Sequence, residues 1–181
     1  APYPAQLLET VELYFLTVPR PPSPPLFAYP HRAFLESLDA EDIRMRLFYS
    51  RRTMERSELA RLVQIDYTRE MAFVATVPTP EGAEKTLGVA RALADPDNVG
   101  AEFGIILRPE LKGSGLGRML MDKLVRYQRA AGTQRLIARA LAENWRMREL
   151  ARALGFSEAP VAGEADTLHL TLALQAPQTR D

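Results

Sequence analysis

The stretch ELKGSGLGRML, residues 110–120, constrains this chain more than any other, because it sets three glycines at alternate positions just before an apolar run. Gly113, Gly115 and Gly117 have no Cβ, so an anion can come close to successive backbone N–H groups. A helix that begins after such a turn leaves its first N–H groups unpaired and directs the positive end of its dipole at the turn. The stretch therefore predicts a phosphate-type anion site at the start of a helix.

Two nucleotide-binding motifs place glycines before a helix, and the spacing here fits neither. The Walker A loop requires a lysine and a hydroxyl residue after its last glycine, where this chain has Arg118 and Met119. The dinucleotide fingerprint requires G-x-G-x-x-G early in a βαβ unit, and this chain has G-S-G-L-G after a hairpin. A tight turn without a ligand stays open as the alternative. If an anion binds, Lys112 and Arg118 flank it with positive charge.

The residues around the glycines predict a hairpin, a strand and a long helix. Strand-like runs over 71–77 and 85–93 predict the hairpin, and a third strand is expected over 101–108. After the glycines, apolar residues recur at helical spacing and predict an amphipathic helix that Gly132 ends. These apolar residues are Leu116, Leu120, Leu124, Tyr127 and Ala131.

Three more elements are predicted after the long helix. Residues 134–141 form a strand-like run, a helix is expected between its cap Asn144 and its end Gly155, and 166–174 is a last strand. The alternation of that strand puts its leucines on one face and His169 on the other. This order of elements predicts an α/β (α+β) fold, in which a mixed sheet carries helices on its faces.

The N-terminal part of the chain is less regular. Residues 18–30 hold six prolines, which predicts extended or irregular backbone. Ser37 or Asp39, and then Ser57, are candidate N-caps of two short helices. The chain begins with alanine, which is consistent with a processed product or with the C-terminal part of a longer chain.

The composition limits the other functions that the chain can have. Basic and acidic residues number 23 each, so no overall field favours nucleic acid or an anionic membrane as a partner. Cysteine is absent and His31 and His169 are the only histidines, which disfavours a metal site or a Ser-His-Asp triad. No apolar run approaches the roughly 20 residues that span a bilayer. We expect one cytoplasmic domain of 181 residues without a metal.

The loop KGSGLG resembles the pyrophosphate loop of the GNAT superfamily of N-acetyltransferases, Q/R-x-x-G-x-G/A, with Lys112 at its first position. Residues 101–117 are similar to that superfamily's fourth strand and loop, and 143–156 to its later asparagine-containing helix. VQIDYTREMAFVA, residues 63–75, resembles the C-terminal acetyltransferase domain of Pat-type bacterial protein lysine acetyltransferases, as do ADPDN and AEF further on. The resemblance implies a single GNAT-type domain over 1–181, with a central mixed, mostly antiparallel sheet flanked by helices.

One segment departs from the resembled pattern. Domains of this type open with a strand and an RPI-PED-like turn, whereas residues 14–32 here read YFLTVPRPPSPPLFAYPHR. The resemblance covers residues 33–174, and residues 1–32 form a divergent, proline-rich segment. The first strand and the first helix are therefore left open.

The resemblance implies acetyl-CoA as cosubstrate, with its pyrophosphate on the loop. The loop residues expected to bind it are Lys112, Gly113, Ser114, Gly115, Leu116, Gly117 and Arg118. In the resembled fold a bulge splays the fourth strand, and the pantetheine pairs with the exposed edge, here Ile105, Ile106 and Leu107. The N–H of Ile106 or Leu107 is expected to meet the thioester oxygen. Asn144 is expected to cap its helix and also to lie near the pantetheine.

Glu102 is the candidate catalytic residue. It matches the glutamate of AEF that acts as general base in Pat-type domains, and Gly104 leaves room beside it. A lysine amine with a pKa of about 10.4 is mostly protonated at pH 7, so a carboxylate must take a proton before the amine attacks. The alternative is a structural carboxylate held by an arginine. Many relatives carry a tyrosine acid that has no match at Leu150, Ala151 or Arg152, so water is expected to protonate the thiolate.

The resemblance also implies the acceptor, a reactive lysine on a protein, with an adenylate-forming acyl-CoA synthetase as the expected client. Two alternatives stay open: a small-molecule amine as acceptor, and a catalytically silent module that senses acyl-CoA. The polar cluster Asp66, Tyr67, Arg69 and Glu70 is either a set of solvated loop charges or part of the acceptor groove.

Overall fold

The computed structural model describes residues 12–15, 34, 37–38, 40–47 and 69–175. The helices and strands with defined bounds are, in chain order, β1 (Glu12–Phe15), α1 (Ala40–Leu47), β2 (Glu70–Pro78), β3 (Glu84–Ala94), β4 (Gly100–Leu107), a 3₁₀ turn (Pro109–Leu111), α2 (Leu116–Ala130), β5 (Arg135–Leu141), α3 (Trp145–Ala153), β6 (Ser157–Val161) and β7 (Glu164–Ala173).

The strands form one sheet in the order β1-β2-β3-β4-β5-β7-β6. Every neighbouring pair in this sheet is antiparallel except β4 and β5, which are parallel. Helices pack on the sheet, α2 against β2, β3 and β4, and α1 against β4 and β5. The predicted central, mixed and mostly antiparallel sheet flanked by helices is confirmed.

The predicted elements between the hairpin and the last strand are confirmed, and each end lies within two residues of the observed one. Two strands were missed. β1 is four residues long and pairs with β2 at one edge of the sheet. β6 contains Pro160, which cannot donate to a ladder and is tolerated because β6 is the opposite edge strand. Both strands are too short or too irregular for alternation to identify them.

Several predictions fall on residues outside the described part of the chain. The proline-rich stretch 18–30 and the helix predicted after Ser57 are among them. Asp39 also lies outside, although α1 begins at the next residue, Ala40. In the described part of the chain no helix is long and apolar enough to cross a membrane.

The core lies between α2 and the sheet. Leu116, Leu120 and Leu124 are at most 1% exposed and lie along one side of α2, as the helical spacing predicts. Tyr127, one turn further, meets the ring of Phe73 edge-on, with centroids 6.2 Å apart. Each buried leucine stabilises the fold by about 1.5–3 kcal/mol relative to an exposed one. The stripe fixes α2, and with it the glycine turn, against β2, β3 and β4.

The sheet divides after Glu102. β4 and β5 pair only through Gly100–Arg135, Ala101–Leu136 and Glu102–Ile137, whereas β5 continues along β7 as far as Leu141. The remainder of β4 therefore has an edge that β5 does not cover. We call the space between this edge and the C-terminal part of β5 the cleft.

The predicted splay of the fourth strand is thus present, but the predicted bulge is wrong. The register of β3 and β4 runs without interruption from Gly88–Leu107 to Ala94–Ala101. The irregularity in this part of the sheet lies instead between Ala75 and Thr76, in the β2–β3 pair. β4 and β5 pair in parallel only through the first three residues of each strand, and no extra residue is inserted into the β3–β4 ladder.

Candidate active site

The glycine turn that leads from β4 into α2 has a left-handed backbone at two positions. Gly113 and Gly115 have φ values of 85° and 92°, which residues with a Cβ rarely adopt. Gly115 is also the N-cap of α2 and has no side chain that could accept hydrogen bonds from the first turn. The N–H groups at the start of α2 therefore point out of the helix at the turn, as an anion site requires.

Gly117 lies inside the first turn of α2 and lacks a side chain for a different reason. A Cβ there would lie 3.3 Å from Leu107 Cδ1 and 3.5 Å from Leu150 Cδ2. These atoms belong to β4 and α3, so the missing Cβ allows α2 to approach its neighbours. The absence of a Cβ at Gly117 thus also serves helix packing, and the role of the Gly117 N–H in an anion site stays a prediction.

Ser114 and Leu116 hold the turn in shape. Ser114 Oγ donates to the carbonyl of Leu111 at 2.7 Å and accepts from the N–H of Leu116 at 3.3 Å. The side chain of Leu116 is buried in the core. Both were predicted to bind the cosubstrate, and the structure shows that the Leu116 N–H already has an acceptor within the turn.

Lys112 forms an ion pair with Asp42 of α1. The Asp42 side chain is 6% exposed and that of Lys112 is 28% exposed, so the pair is largely shielded from water. Lys112 was predicted to add charge at the anion site, but its ammonium group is engaged with α1. Asp42 was missed because 70 residues separate the partners in the sequence and no local pattern links them.

α1 also contacts the other side of the cleft. Arg44 forms ion pairs with Glu143 at 2.6 Å and with Glu41 at 2.9 Å. Hydrogen bonds to Glu41 and then to Glu143 raise the pKa of the Arg44 guanidinium. Glu143 follows β5 and Lys112 follows β4, so the charges of α1 connect the two walls of the cleft.

An open depression of about 320 Å³ lies beside the glycine turn on the outer side of α2. Its lining residues are Gly115, Arg118, Met119, Asp122, Lys123 and Arg126. The Arg118 side chain is 57% exposed and lies 3.8 Å from Asp122, too far for a hydrogen bond to that carboxylate. Of the two basic residues predicted to flank the anion, Arg118 is the one that faces this depression.

The hydrogen-bond pattern of β4 decides which of its N–H groups face the cleft. Arg108 donates to the carbonyl of Leu87, and Asp95 donates to that of Gly100. Since bonds to one neighbour alternate along an antiparallel strand, the even-numbered residues of β4 bond to β3 and the odd-numbered ones point to the cleft.

This pattern separates the three predicted edge residues. Ile105 and Leu107 direct their N–H groups toward the cleft, whereas Ile106 lies opposite Val89 and bonds to β3. The prediction that the Ile106 N–H can meet the thioester oxygen is therefore wrong. The Leu107 N–H, the other predicted donor, points in the required direction.

Glu102 is exposed and lies on β4 where the cleft begins. Leu93 of β3 and Ile137 of β5 are its direct partners, so the three side chains share one face of the sheet. Arg91 lies opposite Gly104 on the same face and forms an ion pair with Glu70. Within the described residues no arginine pairs with Glu102, which weighs against a structural carboxylate held by an arginine.

Comparison with known proteins identifies the family. Residues 37–156 match the model of the acetyltransferase (GNAT) family. The chain belongs to the GNAT family. Among curated proteins it is 34% identical over 98 residues to acetyltransferase PA5475 of Pseudomonas aeruginosa, covering 54% of this chain and 52% of that protein. The chain therefore spans about half the length of that curated relative.

Solved structures share the GNAT fold at low identity. The GNAT domain of S. lividans PAT superposes with a TM-score of 0.75 at 18% identity, covering 90% of each chain. Spermidine N-acetyltransferase from Vibrio cholerae, in complex with CoA and spermine, gives 0.65 at 19% identity, covering 92% of this chain and 96% of that one. Phosphinothricin acetyltransferase from Sinorhizobium meliloti, in complex with acetyl-CoA, gives 0.67 at 22%, covering 91% and 88%.

GNAT enzymes use acetyl-CoA as their cosubstrate, and the described residues of this chain fit such a molecule in two places. The left-handed glycines, the start of α2 and the basic depression fit a phosphate group. The N–H groups of Ile105 and Leu107 on the uncovered edge of β4 fit an amide-bearing arm that pairs as a strand would. No group of three or more His, Cys, Asp or Glu among the described residues could hold a metal ion.

Asn144 caps α3 as predicted. Its side chain accepts a hydrogen bond from the N–H of Met147 at 3.1 Å, and α3 begins at Trp145. The predicted second role of Asn144, near the pantetheine, stays a prediction. Of the three residues at which no tyrosine acid was found, Leu150, Ala151 and Arg152, Ala151 is 1% exposed and lies in the core.

Sequence reasoning missed Asp42 and Leu93. Asp42 was visible only as one of two acidic residues in the first turn of α1, a position favoured by the helix dipole alone. Leu93 was visible only as one apolar residue of a predicted strand. It is 42% exposed beside Glu102, and this exposure cannot be read from alternation in a strand whose other apolar residues are buried.

Proposed function

We propose that this chain is an acetyl-CoA-dependent N-acetyltransferase that moves an acetyl group to the ε-amine of a lysine in a protein, with Glu102 as general base. The observation that carries the proposal is the position of Glu102. It is an exposed carboxylate at the residue pair after which β4 and β5 separate. The base and the strand edge that would hold the donor thus belong to the same strand.

The donor would be held by groups that are fixed before it binds. Backbone N–H groups of the glycine turn and of the start of α2, with Arg118, would bind the pyrophosphate. The N–H groups of Ile105 and Leu107 would pair with the pantetheine arm, and Leu107 would donate to the thioester oxygen as charge develops there. These donors lie at a helix start and on a strand, so they are already in position. Little free energy is therefore spent on reorganising them during the reaction.

The amine would reach the thioester from the face of the sheet that carries Glu102. Glu102 would accept a proton from the ammonium form, directly or through water, and leave a neutral amine. The amine nitrogen then bonds to the carbonyl carbon and the carbon–sulfur bond breaks. The second proton that the nitrogen loses passes through water to the departing thiolate, and Glu102 returns its own proton to solvent. No tyrosine lies at Leu150, Ala151 or Arg152 of α3, the region where the resemblance would place an acid, so water is the proposed proton carrier.

A lysine on a protein is the preferred acceptor, with an adenylate-forming acyl-CoA synthetase in the cytoplasm as client. The support is the resemblance of residues 63–75 and of AEF to Pat-type domains, together with the fold shared with the GNAT domain of S. lividans PAT. Capping the amine of a synthetase lysine needed for adenylation would remove its charge and switch the client off. The fold is also shared with acetyltransferases of spermidine and phosphinothricin, so a small amine is the second candidate.

The proposal is tested by measuring acetyl transfer with four acceptors: an acyl-CoA synthetase, a lysine peptide, spermidine and phosphinothricin. We expect the synthetase to be the best acceptor and to lose activity as one lysine is modified, which mass spectrometry locates. Acetylation of spermidine or phosphinothricin far faster than of any protein lysine would establish the small-amine function instead. Binding of acetyl-CoA without transfer to any acceptor would indicate a sensing module.

The role of Glu102 has its own test. We expect Glu102→Gln to keep acetyl-CoA affinity and to lower turnover by roughly 10² to 10⁴, the usual size of a general-base contribution. Calorimetry measures the affinity, and steady-state kinetics at saturating substrates measure turnover. Near-normal turnover at pH 7 in the variant would show that Glu102 is structural.

A further inference from the structure

A row of four side chains crosses the sheet beside the cleft. The register pairs Glu70 of β2 with Leu93 of β3, Leu93 with Glu102 of β4, and Glu102 with Ile137 of β5. Directly paired residues place their side chains on the same face, with Cβ atoms roughly 5 Å apart. We call these four residues the acceptor row.

Leu93 is the unusual member of the acceptor row. It is 42% exposed, and it is the only residue of β3 that is exposed rather than buried or half-buried. β3 is an interior strand of the sheet, so Leu93 does not lie on an edge strand, where exposed apolar side chains are more common. Exposing a leucine there forgoes the stabilisation that its burial would bring, which makes Leu93 a candidate contact for a ligand.

The charges of the row indicate the chemistry of that ligand. Glu70 forms an ion pair with Arg91, and their side chains are 13% and 16% exposed. Glu102 is exposed and has no ion pair within the described residues. A molecule on Leu93 thus meets one apolar group next to one exposed carboxylate, which matches a single cationic or amine head on an aliphatic stem.

We infer that Leu93 binds the aliphatic stem of the acceptor and so selects a primary amine on an unbranched chain, such as the side chain of lysine. The inference rests on the proposed function, because the amine head must lie at Glu102. The methylenes of the stem cover Leu93 while the nitrogen reaches the carboxylate on the neighbouring strand. Gly104, the next residue of β4 on this face, adds no side chain that would obstruct the nitrogen.

A series of acceptors that differ only in stem length tests this contact. One peptide is made with lysine, ornithine, diaminobutyric acid or diaminopropionic acid at a single position, and kcat/KM is measured for each. For the wild type we expect a loss of about two- to fourfold for each methylene removed, the upper value corresponding to full burial of a CH₂. For Leu93→Ala we expect a KM for the lysine peptide raised about tenfold, a much weaker dependence on stem length, and an unchanged KM for acetyl-CoA.

Two variants serve as controls. Leu93→Met keeps a flexible apolar side chain and should restore most of the dependence on stem length. Ser157→Ala changes an exposed residue of β6, two strands beyond Ile137 along the same line of paired residues, and should leave the KM for the peptide unchanged. Circular dichroism establishes that each variant is folded.

The possible results separate this inference from the proposed function. If the wild type transfers acetyl groups and Leu93→Ala shows the same KM for the peptide and the same dependence on stem length, only the role of Leu93 is overturned. Failure of the wild type to acetylate any amine would overturn both. Loss of transfer in Leu93→Ala together with a raised KM for acetyl-CoA would show a general disturbance of the cleft and would also overturn the inference.

Discussion

Gly115 and Gly117 lie two residues apart and tolerate different replacements. Gly115 has a φ of 92°, which costs an L-residue about 1–2 kcal/mol, and it caps α2 where an anion would bind. Gly117 is helical, and the atoms that a Cβ would meet are the ends of two leucine side chains that can move slightly. The motif Q/R-x-x-G-x-G/A, which this loop resembles, has the same asymmetry, because it requires glycine at the position of Gly115 and accepts glycine or alanine at the position of Gly117.

The two glycines therefore supply a matched pair of variants. We expect Gly115→Asp to abolish measurable CoA affinity, because the variant places a carboxylate where a phosphate is proposed to bind. We expect Gly117→Ala to keep CoA affinity within about threefold and to change the free energy of unfolding by less than about 1 kcal/mol. The greater helix propensity of alanine, about 1 kcal/mol, offsets the cost of its contact with the two leucines. Calorimetry and urea unfolding measure the two quantities. Equal loss of affinity in both folded variants would contradict the distinction.

At the scale of elements, ion pairs connect segments that the sheet does not join. α1 connects Lys112, after β4, to Glu143, after β5. Glu158 of β6 accepts hydrogen bonds from Arg148 and Arg152 of α3 at 3.0 Å and 2.8 Å. Arg148 also donates to the carbonyl of Ala142, just after β5. These contacts hold α3 and its cap Asn144 beside the cleft.

The contact at Glu158 predicts a pH dependence of stability. Hydrogen bonds, first from Arg148 and then from Arg152, lower the pKa of Glu158 below its usual value. A carboxyl group with a lowered pKa in the folded state stabilises that state above its ordinary pKa, and this contribution is lost as the pH falls through the folded value. We expect Glu158→Gln to be less stable than the wild type at pH 7 and to approach it as the pH falls below about 4.

Urea unfolding at pH 7 and at several lower pH values measures that difference. The matched control is Glu164→Gln, which removes the ion pair with Arg139, where both side chains are 44% exposed. Exposed ion pairs contribute little to stability, so the free energy of unfolding of this variant should differ from that of the wild type by less than about 1 kcal/mol at every pH. If the loss of stability in Glu158→Gln does not become smaller at low pH, its cause is packing and not charge.

At the scale of the whole molecule, the cleft divides the sheet into two parts joined by three residue pairs of β4 and β5. A ligand in the cleft would contact β4 and α2 on one side and β5 and α3 on the other. A ligand that binds only the folded state stabilises it in proportion to the logarithm of its concentration over its Kd. Binding in the cleft should therefore be visible in the unfolding of the whole domain.

We expect CoA at about 100 times its Kd to raise the Tm by roughly 5–10 °C. Scanning calorimetry or fluorescence measures the shift, and Gly115→Asp is the control, in which the shift should disappear. A shift of the same size in both proteins would mean that CoA binds elsewhere on the chain.

Much of the fold could be predicted from local patterns. Strand-like runs bounded by turn residues located β2, β3, β4 and β5, alternation was read in β7, and the leucine spacing located α2. Glycines with positive φ located the turn, because few other residues adopt that conformation. The same local patterns could not detect β6, whose exposed residues and Pro160 carry no clear alternation.

Local sequence patterns were sufficient to predict most of the helices and strands, the glycine turn at the start of α2 and the family that these residues resemble. Three features depend on how distant segments pack: Lys112 pairs with Asp42, Leu107 and not Ile106 directs its N–H to the cleft, and Leu93 is exposed beside Glu102. The reason is physical. Periodicity constrains the conformation of one segment, whereas ion pairs, strand polarity and exposure depend on the register and packing of segments far apart in the chain.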